Sequence, residues 1–277
     1  MIMMEFIGYF AAIFIGVSLG LIGGGGSILT VPVLVYLFHI EPIVATAYSL
    51  FVVGLTSSVG AFSYFKQGLV KMKMALVFGI PSIFSVFLTR QYLVPAIPDE
   101  IFSVGSFVLT KGIFLMALFA VLMILASYKM IKGSSVIGED TDNGLDSSNS
   151  SIEKTNFNYP MVIIQGLIVG LTTGLVGAGG GFIIIPALVF LLGLEMKEAI
   201  GTSLTIITLN SFFGFLVSQN QMQTDWKLLL ILSGMSILGI FVGMALSKRI
   251  DGAKLKPLFG WFVLVMGSYI LIKELFF

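Results

Sequence analysis

The chain repeats itself. Shifted by 154 residues without a gap, Gly20–Gly60 overlies Gly174–Gly214 with 16 identities in 41 positions. The matched pairs include Gly23/Gly177, Gly25/Gly179, Gly26/Gly180, Pro32/Pro186, Glu41/Glu195, Ser49/Ser203, Ser57/Ser211 and Gly60/Gly214. The same shift pairs Lys73 with Lys227 and Ser82 with Ser236, so the register persists beyond the stretch of identity. A register this long marks a duplicated unit, a construction shared by many membrane folds built from paired repeats.

The solvent for that unit is lipid. Of 277 residues, 57% are hydrophobic and only 10% charged, against about 45–50% and about 25% in soluble domains. The mean hydropathy of +1.06 is spread over most of the length, which makes the chain a polytopic membrane protein. A net charge of +1 gives no basic excess to neutralise a phosphate backbone, so nucleic acid is not an expected partner. The absence of cysteine excludes disulfides, thiolate metal sites and cysteine nucleophiles, and the single histidine, His39, argues against a histidine metal site. No cofactor or metal is expected. The Met1–Glu5 start lacks a basic n-region and a cleavage site, so the first apolar stretch is expected to be retained.

Apolar runs between charges and Gly/Pro breaks predict five helices in each half: 4–22, 27–39, 43–64, 73–93 and 107–131, then 160–176, 181–193, 198–218, 226–247 and 256–276. The predicted organisation is a membrane repeat over 1–132, a polar linker over 133–159 and a second repeat over 160–277. The linker is rich in Ser, Asn and acidic residues and reads as a mobile cytoplasmic segment. Its Asn149-Ser150-Ser151 tripeptide is treated as a chance match to a glycosylation acceptor.

The two short helices decide the topology. At 13 residues each, they measure about 20 Å at ~1.5 Å per residue, short of the ~30 Å hydrocarbon core. Each follows a glycine-rich break, so each long-plus-short pair is read as a V-shaped or re-entrant hairpin with its tip inside the membrane. Three full spans then remain per repeat, and an odd number of crossings inverts the second repeat relative to the first. Lysine and arginine accumulate in cytoplasmic loops. With inverted repeats the 15 basic residues divide eleven to four; with each pair drawn as one continuous span they divide eight to seven and specify no orientation. The expected fold is therefore an all-α membrane protein of two inverted-topology repeats, with the linker cytoplasmic and both termini outside.

The breaks themselves, Gly23-Gly24-Gly25-Gly26-Ser27 and Gly177-Ala178-Gly179-Gly180-Gly181, carry no side chain capable of covalent chemistry. They offer backbone instead: glycine tolerates positive φ, and the helix that follows begins with N–H groups lacking an intrahelical partner. Helix N-termini carry about half a positive charge, so two of them meeting at the midplane form an anion site. Ser27, Thr46, Ser49, Thr202, Ser203 and Thr205 would add hydroxyls, and Asn210 is a polar side chain inside an apolar helix. The candidate substrate-binding set is Gly23, Gly24, Gly25, Gly26, Ser27, Ser49, Gly177, Gly179, Gly180, Gly181, Thr202, Ser203 and Asn210. The competing reading of each glycine is a small-residue packing surface, and of Asn210 a link between helices. Glu41 and Glu195 read as helix caps or headgroup-level anchors, with titrating groups as the alternative, and Lys73 and Lys227 as snorkelling side chains. Arg90 and His39 read first as interfacial anchors, with an anion-attracting vestibule as the alternative.

A duplicated membrane chain with G-x-G-G-G shortly before proline in each half resembles the TauE/SafE sulfite-exporter family. The motif stands as Gly177-Ala178-Gly179-Gly180-Gly181 with Pro186, and as Gly23-Gly24-Gly25-Gly26-Ser27 with Pro32, Ser27 being the departure. The resemblance covers nearly the whole chain. It implies a multi-pass transporter of the bacterial inner membrane that exports sulfite, sulfoacetate or a related sulfonate, with the glycine runs and the Ser49 and Ser203 regions facing the substrate. The expectation is a secondary transporter working by alternating access, not an enzyme: no G-x-x-x-x-G-K-[ST] phosphate loop occurs and no nucleophile–base set is present. The alternatives are an anion channel, or a transporter of another small organic anion, uptake included. A homo-oligomer is compatible with this reading, and no coupling ion is specified by it.

Overall fold

The computed structural model describes residues 2–24, 26–104, 107–135, 159–177, 179–190, 192–219, 224–247 and 252–276. The first half contains α1 (Ile2–Ile22), α2 (Ser27–Tyr36), α3 (Pro42–Lys66), α4 (Met72–Leu88), a π-helical turn (Thr89–Leu93), the one-turn α5 (Val94–Ala96), β1 (Glu100–Val104), β2 (Phe107–Thr110) and α6 (Lys111–Ser135). The second contains α7 (Tyr159–Val176), α8 (Gly181–Phe190), α9 (Met196–Gln219), α10 (Trp226–Ser247) and α11 (Gly252–Phe276). Of the expected linker, 136–158, with Asn149, lies outside the described residues.

The short helices are shorter than expected. They end at Tyr36 and Phe190, where the chain turns back through hydrogen bonds from Ile40 N to Leu34 O (3.1 Å) and Leu194 N to Leu188 O (3.2 Å). The turn requires a left-handed residue, supplied by Gly193 (φ 63°) and, at the equivalent position, by His39 (φ 54°). His39 is thus first a turn residue. With 10 residues each, α2 and α8 reach about 15 Å, half the hydrocarbon thickness.

The expected helix over 107–131 is corrected at its start. Phe107–Thr110 pairs antiparallel with Glu100–Val104, and the helix begins only at Lys111. Pro98 follows the end of the preceding helix at Ala96, and the Lys111 N–H donates to the Asp99 carbonyl at 2.9 Å at the base of the hairpin. The other elements among the described residues are helices.

Two seams of small residues bring helices to backbone contact. Gly16 and Gly20 of α1 lie against the carbonyls of Ser236 and Ile240, while Gly239 and Gly243 of α10 lie against those of Ile13 and Val17. Gly166 and Gly170 of α7 lie in the same way against the carbonyls of Phe78 and Ser82, and Gly174 against Thr89. The Ser236 hydroxyl donates to Ala12 O (3.0 Å), and Ser85 to Leu167 O (2.7 Å). Without a hydrophobic driving force between helices in lipid, such close approach is a main source of attraction. Between the seams, α3 and α9 run antiparallel, with Leu50 against Gly214, Gly54 against Ser211, Leu204 against Gly60 and Tyr64 against Gly201. The first and third of these contacts exchange under the 154-residue shift.

The periphery is apolar: Phe10, Phe14, Phe62, Leu238, Trp261 and Val265 are exposed, whereas Phe78 and Phe119 are buried. Among the described residues, four helices are long and apolar enough to cross a membrane: Pro42–Lys66, Met72–Ala96, Met196–Gln219 and Trp226–Ser247. The protein is a multi-pass helical membrane protein.

Gly170→Val and Gly239→Val force a branched side chain onto a facing carbonyl and are each expected to cost about 1–3 kcal/mol. Gly234→Val, on α10 with open space around it, is the control. Thermal unfolding in detergent should show lower midpoints for the first two and little change for the third.

Candidate functional site

The two glycine breaks touch. A Cβ built on Gly24 would overlap the carbonyl of Gly181, and one on Gly181 would overlap the Cα of Gly24. Two backbones approach this closely only where neither carries a side chain, so glycine is required on both sides. Each break also rests on the helix of the opposite half. Gly23 (φ 76°) packs on Ile200, and its repeat equivalent Gly177 (φ 72°) packs on Thr46, which is the equivalent of Ile200.

The breaks are built differently around this contact. In the second, Gly177, Gly179 (φ 65°) and Gly180 (φ 72°) are all left-handed. In the first, Gly23 is left-handed, Gly26 is already right-handed helical (φ −69°), and Gly25 lies outside the described residues. Gly26 packs against its own half, on Ile15 and Leu19. Ser27 fits in place of glycine because its hydroxyl turns back to donate to the Gly24 carbonyl at 2.7 Å. That bond satisfies a backbone acceptor inside the break.

The hydroxyls around the breaks divide into bonded and unbonded. Ser203 Oγ lies 2.9 Å from the Ile200 carbonyl and 3.3 Å from that of Gly23, tying α9 to the first break. Thr202 points elsewhere and accepts from the Lys71 N–H at 3.0 Å, beside the Lys71–Glu198 ion pair. Thr46 donates to Ile43 O and Thr205 to Gly201 O, both within their own helices. Asn210 Nδ2 donates to Ser82 Oγ at 2.6 Å, joining α9 to α4, while its Oδ1 has no partner. Buried and without partners are also Ser49, Ser57, Thr173 and Ser211. Two of these border the second break directly: Thr173 Oγ1 lies against Gly180 and Ser211 Oγ against Gly179. An unsatisfied buried hydroxyl costs about 1–3 kcal/mol. Two of them against one glycine break therefore need an explanation from function.

The set was only partly visible in the sequence. Ser57 and Ser211 are identical across the repeat, a signal equal to that of Ser49 and Ser203, whereas Thr173 has no such mark. Glu41 and Glu195 stand at the N-caps of α3 and α9, accepting from Ala45 N and Ala199 N at 2.8 Å each, with exposed side chains. Lys73 and Lys227 are exposed at the starts of α4 and α10. Arg90, in contrast with its reading as an interfacial anchor, is buried, with 3% of its surface exposed.

Comparison with known proteins covers nearly all of this architecture. The family model described as sulfite exporter TauE/SafE matches residues 9–270. A probable membrane transporter protein of Xylella fastidiosa is 27% identical over 267 residues, 94% of this chain and 92% of its own. The probable membrane transporter protein YunE of Bacillus subtilis is 26% identical, over 92% of this chain and 93% of its own. The probable membrane transporter protein MJ0441 of Methanocaldococcus jannaschii is 34% identical over 116 residues, 40% of this chain and 43% of its own. No solved structure matches.

Removing a hydroxyl that satisfies nothing should not weaken the fold. Ser57→Ala and Ser211→Ala are expected to leave the unfolding midpoint unchanged or raised, whereas Ser203→Ala, which removes a bonded hydroxyl, should cost about 1 kcal/mol. Parallel thermal melts of the three variants check this; equal losses in all three would contradict the assignment of Ser57 and Ser211 as unsatisfied.

Proposed function

The chain belongs to the sulfite exporter TauE/SafE family, and on that premise we propose that it exports a small sulfur-containing anion, sulfite, sulfoacetate or a related sulfonate, by alternating access. As a family member among probable membrane transporters, it is a membrane transporter. The single observation that carries the finer reading is the backbone crossing of Gly24 and Gly181, with the partnerless hydroxyls of Thr173 and Ser211 against the second break. Helix α8 begins at the crossing and α2 three residues after Gly24, so the positive dipole ends of both lie beside it, where Thr173 and Ser211 offer further donors. Neutral donors of this kind hold a small oxyanion without trapping it.

The antiparallel course of α3 and α9 and the exchange of their contacts under the repeat shift support an inverted relation of the halves. So do the matched α1–α10 and α4–α7 seams. In this reading each half supplies one V-shaped helix pair and three spans, and the glycine crossing lies near the bilayer midplane. The eleven-to-four division of basic residues supports a cytoplasmic linker and termini outside, in a bacterial inner membrane by the family reading. Rocking of one half against the other about the α3–α9 contact would open the crossing to each side in turn. An anion leaving a cell that is negative inside gains roughly 2.3 kcal/mol per charge per 100 mV, which drives export without nucleotide hydrolysis.

Proteoliposomes loaded with sulfite or sulfoacetate are expected to release the anion in a protein-dependent way at carrier rates. Gly181→Val should abolish release while the protein still inserts, and Ser49→Ala should weaken half-saturation about tenfold, the loss of one hydrogen bond to a charged group worth about 1.5 kcal/mol. No release across the panel of anions contradicts the reading, and single-channel currents would replace the carrier with a channel. Because the chain has no cysteine, the orientation has a clean test. A cysteine introduced at Ser147 should react with a membrane-impermeant maleimide only from the cytoplasmic face, and one at His39 only from outside.

A further inference from the structure

Arg90 is a charge buried inside the protein. Arg90 sits in the π-helical turn Thr89–Leu93, a widened turn of the kind found often at functional sites. It is 3% exposed. Its Nη1 donates to Thr46 Oγ1 at 3.0 Å, but Nε and Nη2 have no hydrogen-bond partner, and among the described residues no carboxylate pairs with it. A guanidinium does not shed its proton in proteins. Buried with a single neutral acceptor, it carries a desolvation penalty of several kcal/mol without the compensating anion that buried charges require.

Packing does not require that charge. Under the repeat shift Arg90 corresponds to Met244 and Thr46 to Ile200. The correspondence holds in space: Thr89 faces Gly174 as Gly243 faces Gly20. In the second half, Ile200 and Met244 simply belong to an apolar cluster with Tyr64, Leu204 and Ile240. The fold thus builds this corner with hydrocarbon in one half and with a cation and a hydroxyl in the other.

The free atoms define what the cation can hold. Nε–H and Nη2–H lie on one edge of the planar guanidinium as two parallel donors, the fork that matches two oxygens of one oxyanion. Through the bond of Nη1 to Thr46, whose main chain packs on Gly177, the guanidinium is tied to the start of the second glycine break and its other edge is left free.

We propose that Arg90 is the charge-recognising ligand of the transported anion, gripping two of its oxygens through Nε and Nη2 beside the Gly177 turn. The cargo is thereby restricted to oxyanions with two oxygens on one atom, sulfite, sulfonate or carboxylate, in preference to halides. This rests on the transporter reading above and deepens it. The same fork would accept the phosphate of a lipid headgroup, so the test separates the two sources.

Wild-type protein and the Arg90→Lys variant are compared in proteoliposomes for sulfite release and for competition by chloride. The variant keeps the charge and loses the fork. Its half-saturation for sulfite is expected to rise at least tenfold, with the preference for sulfite over chloride collapsing. Because Arg90→Lys alters a buried group, a second measurement stands independently of it. Arg90 and Arg249 are the two arginines of the chain, so Arg249→Lys protein labelled with ¹⁵N-arginine in lipid-free detergent gives one arginine Nε–H resonance. That resonance should shift saturably with sulfite and not with chloride at equal ionic strength. A resonance that ignores sulfite, or responds only to added phospholipid, overturns the proposal, as does unchanged sulfite affinity in Arg90→Lys. If wild-type protein releases no anion while the resonance still titrates with sulfite, the transport reading fails and the Arg90 site stands.

Discussion

Two peptide backbones in direct contact at the centre of a multi-pass membrane protein form the constraint on which the rest of this structure depends. The bilayer core supplies no water to irregular backbone, so non-helical chain is tolerated there only when protein surrounds it. The Gly24–Gly181 crossing meets that condition by having each half cover the break of the other, Gly23 on Ile200 and Gly177 on Thr46. From this follow the ten-residue length of α2 and α8, the chain reversals at His39 and Gly193, and the need for α3 and α9 to lie against each other. A side chain on either crossing glycine would separate the halves along their whole contact, because a well-packed interior does not deform continuously.

Against that shared frame the halves differ where chemistry is concerned. The second break is wound through three left-handed glycines, while the first resumes helix at Gly26 and is pinned by Ser27 on the Gly24 carbonyl. Ser203 is bonded to the first break, and its counterpart Ser49 is buried without a partner. Thr46 and Arg90 stand where the other half has Ile200 and Met244. The polar atoms left without partners, on Ser49 and Arg90, add nothing to stability. A carrier whose cargo approaches from two unlike compartments has reason to make its two sides unlike.

Much of the fold was legible in the sequence because lipid simplifies the code. Apolar runs ending at charges and at Gly/Pro breaks set the helix limits, and the 154-residue register showed which elements correspond. The hairpin of Glu100–Val104 and Phe107–Thr110 was not legible, because Phe107–Thr110 is as apolar as the helix it precedes and nothing in its composition announces the ladder or the Lys111–Asp99 bond at its base. Among the site residues, the glycines announced themselves by composition. Which hydroxyls stay unsatisfied was hidden, since it depends on tertiary register: Asn210 finds Ser82 across 128 residues, and Thr202 finds the Lys71 amide across 131. Arg90 near a helix end reads as an anchor until its surroundings are known. Its alignment with Met244 was the available sign that packing alone did not ask for it.

The central claim is that a negative guest lies at the glycine crossing, and selenite offers the most direct measurement of it. A crystal of the protein grown with selenite, its methionines left as sulfur, permits location of the anion by selenium anomalous scattering. The account predicts a peak against the Gly24–Gly181 contact, within hydrogen-bond reach of the first amides of α2 or α8 and of the hydroxyls around them. Selenium found only at the protein surface, or a crossing sealed by side chains with no peak at saturating selenite, would contradict it.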